Sequence, residues 1–74
     1  MGKESVLLPM VGKIVSVDVA TGDVVEEDQQ IGTFESMKME MPVFSPYAGT
    51  VVEVTVSKGD VAEADKVFCV VETD

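Results

Sequence analysis

A primary amine between two thioethers stands at the middle of this chain, in the run Glu35-Ser36-Met37-Lys38-Met39-Glu40. A lysine amine, once neutral, attacks activated carbonyls, so Lys38 could accept a covalent group if it is exposed. Methionine is a soft, adaptable apolar side chain. In a strand Met37, Met39 and Met41 fall on one face. The expectation is recognition for Met37 and Met39, and core or edge packing for Met41. Glu35 is close enough to the lysine to serve recognition, and a repeat described below gives it an equally good structural reading.

Little else in the chain could do chemistry. There is no histidine and one cysteine, so neither a metal-binding pair nor an intramolecular disulfide can form. No glycine-rich phosphate loop opens a helix, and no serine nucleophile has a base. The acids Asp23, Glu26, Glu27 and Asp28 lack the alternating order and turn glycine of a calcium loop, so a solvated turn is expected and no metal. Cys69, in Val67-Phe68-Cys69-Val70-Val71, reads as a buried strand thiol. The chain is expected to carry a reactive group without catalysing its reactions. Its formal charge of −9, with five lysines and no arginine, repels nucleic acid and anionic membranes. No apolar run approaches the ~20 residues of a membrane span. No signal peptide is visible at the start, and a reducing, cytoplasmic setting is expected.

The elements that must position Lys38 are written twice. Offset by 37 residues, the chain matches itself at 11 of the 28 positions from Pro9 to Ser36, without a gap. Pro9 falls on Pro46, Gly12 on Gly49, Gly22-Asp23-Val24 on Gly59-Asp60-Val61, and Glu35 on Glu72. The copies cover about residues 9–36 and 46–73, and two are too few for a solenoid. Valine alternates with polar residues in both, which predicts strands with Val15, Val17 and Val19, and Val52, Val54 and Val56, facing inward. Thr21-Gly22-Asp23 and Lys58-Gly59-Asp60 are predicted turns, and residues 26–29 and 63–66 are shorter ones. Ser45-Pro46-Tyr47-Ala48-Gly49 is a longer turn, and Pro42 marks an edge or a strand start. Phe44 and Tyr47 are expected in or near the core. No segment has a helical period. The prediction is one all-β domain over 1–74, two four-stranded antiparallel sheets packed as a flattened sandwich with pseudo-two-fold symmetry. A chain this short buries only ~60 % of its unfolded surface, so that core must be efficient.

These residues resemble the biotin carboxyl carrier domains of the biotinyl/lipoyl attachment family. The resemblance runs from about Leu8 to Val71. It comprises Pro9-Met10-x-Gly12, the Gly-Asp-x-Val turns, Glu-Ser-Met-Lys-Met-Glu, and the re-entry at Ala48-Gly49-Thr50-Val51. It implies a barrel-sandwich hybrid with Lys38 at a hairpin tip, joined to biotin by a biotin protein ligase. The attached ring would take up carboxylate at a biotin carboxylase site and deliver it at a carboxyltransferase site. The host enzyme would be an acyl-CoA carboxylase, decarboxylase or transcarboxylase. Met37 and Met39 would contact the ligase or a partner, and Glu35 is a further candidate for that contact. Lipoylated members generally carry Asp-Lys-Ala at the turn, whereas this chain has the biotin form.

Three departures matter. Asp28 and Asp65 stand where the family often has glycine, which makes those turns costlier. The gapless repeat also leaves no room for the protruding thumb of some bacterial acetyl-CoA carboxylase carriers. A Pro/Ala-rich tether is missing, so the readings are a free-standing carrier or a trimmed domain with an added start methionine. Against the biotin carrier stand a lipoyl carrier, which Met-Lys-Met argues against, and an unmodified adaptor sandwich. A phosphopantetheine carrier is disfavoured because Ser36 lies in a β context with no helix after it.

Overall fold

The computed structural model describes residues 2–73. Met1, the expected start residue, and Asp74 lie outside the described residues. The elements are β1 (Gly2–Leu7), β2 (Gly12–Val17), β3 (Val24–Val25), β4 (Gln30–Ser36), β5 (Met39–Phe44), β6 (Gly49–Val54), β7 (Val61–Ala62) and β8 (Val67–Thr73). They form two open four-stranded sheets, ordered β1-β8-β6-β3 and β5-β4-β2-β7. Every pairing is antiparallel, and the described residues contain no helix. The all-β sandwich expected from valine alternation is what forms. An offset of 37 carries β2, β3 and β4 onto β6, β7 and β8, and β5 back onto β1. The two sheets therefore have the same strand order.

The inward faces meet in a core that includes Leu8, Ile14, Ile31, Phe34, Phe68 and Val71, each no more than 1 % exposed. Each such side chain contributes roughly 1.5–3 kcal/mol by leaving water. Met41 and Tyr47 pack against this cluster from its margin, as expected. Cys69 is fully buried, and that burial pushes its thiol up to about 11, so it stays a neutral packing group.

Local chemistry explains the repeated residues. In the turn 20–23 the Asp23 N–H donates to the Ala20 carbonyl (3.0 Å), and the Ala20 N–H donates to Asp23 Oδ2 (2.9 Å). The turn 57–60 repeats both bonds between Ser57 and Asp60. Gly22 (φ 100) and Gly59 (φ 95) supply the left-handed residue each turn requires. Asp28 (φ 68) and Asp65 (φ 67) do so in the shorter turns, the costlier arrangement expected of them. Gly12 and Gly49 repeat for another reason. A Cβ on Gly12 would lie 2.7 Å from the Glu35 carbonyl oxygen, and one on Gly49 would run into that of Glu72. Pro42 lies on β5, an edge strand, where its missing N–H leaves no gap in the ladder.

Two expectations are corrected. Val15 and Val52 are only half-buried and stand outside the core, and Ile14 and Val51 are buried instead. The cause is a β-bulge: Ile14 pairs with Phe34 and Ser16 with Thr33, leaving Val15 as the extra residue, and Val52 repeats this between Val51 and Glu53. An extra residue shifts the alternation by one, so Val17, Val19, Val54 and Val56 return to the core side. Phe44 is the second correction. It ends β5 opposite Gln30 and is 51 % exposed, because Val43 beside it takes the inward position and the alternation of the strand turns Phe44 outward.

Candidate functional site

Beta-strands β4 and β5 are joined by two residues, with Ser36 paired to Met39. Those two, Met37 (φ 55) and Lys38 (φ 65), are both left-handed. Positive φ at both central positions is the mark of a type I′ turn, whose twist suits a two-residue hairpin. Sequences that form it easily carry Asn-Gly. Here a methionine and a lysine occupy it, at about 1–2 kcal/mol each. Strain of this kind persists where something other than stability selects the residues. Met37 is 88 % exposed, so its side chain contributes almost no burial energy. Met37→Gly is therefore expected to raise unfolding free energy by about 1 kcal/mol in urea titration.

The hairpin holds this tip firmly. Phe34 and Ser36 of β4 face inward and are buried, whereas Glu35 between them faces out. Lys38 is exposed at the turn, and Met39, 66 % exposed, opens β5. The structure thus brings Met37, Lys38 and Met39 together as one exposed tip. Glu35 lies one register step below, opposite Glu40 on β5 and Lys13 on β2.

That step also borders a groove of about 290 Å³, lined by Lys13, Ile14, Val15, Glu35, Glu40, Lys58 and Gly59. The sequence reading missed it, because Lys13, Glu40 and Lys58 are positions where the two copies differ rather than agree. A larger hollow of about 350 Å³ is lined by residues 61–66 alone and gathers no candidate side chain. Among the described residues, no group of three or more acids and thiols is placed to hold a metal ion. No described helix is long and apolar enough to cross a membrane.

The arrangement presents one exposed amine at the end of a paired two-residue hairpin. Residues 4–74 match the family of biotin-requiring enzymes that share the biotin/lipoyl attachment fold. The chain belongs to this family. No curated protein matches it in sequence. Among solved structures, this biotin/lipoyl module is similar to part of the Kluyveromyces lactis urea carboxylase, with a TM-score of 0.88 and 28 % identity. It is equally close, at 0.88 and 26 %, to part of a single-chain, multi-domain long-chain acyl-CoA carboxylase. These superpositions cover 97 % and 99 % of the chain, but only 6 % and 7 % of the two carboxylases. Family membership implies a covalently held biotin or lipoyl group. The tip fits one: a long acyl substituent on the exposed Lys38 amine would meet open solvent and two methionines, with nothing buried to displace.

Proposed function

We propose that this chain is a biotin carrier in which Lys38 is the attachment residue. The observation that carries the reading is the Met37-Lys38-Met39 tip, an exposed amine between exposed methionines on a strained two-residue turn. Neutral Lys38 Nζ attacks the carbonyl of ligase-activated biotin; the amide bond forms, the activating group leaves, and the amine proton passes to solvent. Met37 and Met39 give the ligase or a partner an adaptable apolar grip, with Glu35 beside them. When attached, biotin supplies a ring nitrogen that takes up and gives back carboxylate.

The protein's part is positional. The hairpin fixes the stem of the arm while the lysine side chain swings, which raises the effective concentration of the ring at two successive sites. Those sites are a biotin carboxylase and a carboxyltransferase, in an acyl-CoA carboxylase, decarboxylase or transcarboxylase. The chain itself is a non-catalytic carrier, and a cytoplasmic setting suits its single reduced thiol.

The test is intact mass after incubation with a biotin protein ligase, ATP and biotin, followed by peptide mapping. One biotinyl increment on Lys38 is expected. A folded chain that stays unmodified, or that accepts lipoate instead, would overturn the reading.

A further inference from the structure

We infer that the groove beside the tip is a docking site for the biotin ring carried by Lys38 of the same chain, a reading that rests on the proposed attachment. The groove begins one register step below the turn, at the Glu35–Glu40 pair. Two strand residues span about 7 Å. The four-carbon lysine stem is of about that length, and the acid chain of biotin roughly doubles it, so the ring reaches the groove by folding back.

The lining complements a cyclic urea. Its two N–H groups are donors, and Glu35 and Glu40 are carboxylate acceptors. Its carbonyl is an acceptor, and Lys13 and Lys58 are ammonium donors; hydrogen bonds with one ionised partner are the stronger kind. The apolar side of the ring finds Val15, which the β-bulge takes out of the inward set and places in the groove lining.

The other half of the molecule is an internal control. An offset of 37 carries Glu35 to Glu72, Val15 to Val52 and Gly59 to Gly22, so the framework repeats. The charges do not. Glu40 answers to Lys3, Lys13 to Thr50 and Lys58 to Thr21. In that half Glu72 stands between Lys3 and Thr50, whereas here Glu35 stands between Glu40 and Lys13. The structure therefore sets a second acid and two lysines around Glu35 at the half that bears Lys38, where the other half has one lysine and two threonines.

The test compares amide ¹H–¹⁵N spectra of the full chain in three states: unmodified, biotinylated by the ligase, and carrying acetyl-lysine at 38. Acetylation removes the same charge without adding a ring. Biotinylation is expected to shift the amides of Val15, Glu35, Glu40 and Gly59, and acetylation to shift only Met37 to Met39. A triple variant, Lys13→Thr, Glu40→Lys and Lys58→Thr, gives the groove the residues that the other half already accommodates. It should fold and be biotinylated, and its groove shifts should be lost. Groove amides that stay still when intact mass shows full biotinylation would overturn the docking and leave the attachment standing. So would shifts that acetylation reproduces, or that survive in the triple variant. A chain that gains no biotinyl mass would overturn both.

Discussion

Arginine at position 38 is expected to abolish biotinyl incorporation while leaving the hairpin folded. Lys38→Arg keeps the charge and the long stem, and it puts no new demand on the turn, since arginine meets the same left-handed backbone (φ 65) as lysine. What it removes is a nitrogen that can become neutral: guanidinium stays protonated at any working pH, so no lone pair reaches the activated carbonyl. Stability should change by no more than about 0.5 kcal/mol, as for other exposed substitutions. The measurement is intact mass of parent and variant after the same ligase reaction, with a denaturation curve on each. Lys3, Lys13, Lys58 and Lys66 remain in the variant as internal competitors. Lys13 and Lys58 line the groove closest to the tip. A biotinyl increment that persists on any of them would mean that the tip geometry does not choose the acceptor.

That geometry was only partly legible in the residue order. Alternating valines, the Gly-Asp turns and the 37-residue offset announced an all-β sandwich and placed Lys38 at its central connection, because strand period and turn chemistry are local properties. The two methionines were legible as exposed only through the turn that holds them. The bulges at Val15 and Val52 were not legible. Counting inward and outward residues assumes one-for-one pairing, and an extra residue is a property of two strands together. Phe44 misled because its type favours burial, whereas alternation with the buried Val43 turns it to the outer face of the sheet. The groove escaped because a search for repeats rewards agreement, and Lys13, Glu40 and Lys58 carry their meaning by disagreeing with Thr50, Lys3 and Thr21.

Disagreement between the halves also shapes the core, and it leads to the second large effect. Gly32 corresponds to Cys69, and Ile31 to Phe68. A Cβ on Gly32 would collide with the Phe68 ring and would stand 2.8 Å from the Ser16 carbonyl oxygen. Where one half sets a glycine against a phenylalanine, the other holds a cysteine and an isoleucine, both fully buried. Gly32→Cys alone is expected to destabilise by about 1–3 kcal/mol through overpacking. Phe68→Ile alone is expected to cost about 1–2 kcal/mol through lost volume. Either is a large share of the roughly 4–11 kcal/mol that a chain of this size commands. Together they give the Gly32–Phe68 contact the residue types of Cys69 and Ile31, and Cys69 stands opposite Val54 as Gly32 stands opposite Val17. The double variant should therefore be at least about 1 kcal/mol more stable than the sum of the single losses, read from urea midpoints at constant slope. If the two losses simply add, Gly32 is required by the close approach of the Ser16 backbone and not by the ring, and the mirrored choice of residues would reflect composition instead of packing.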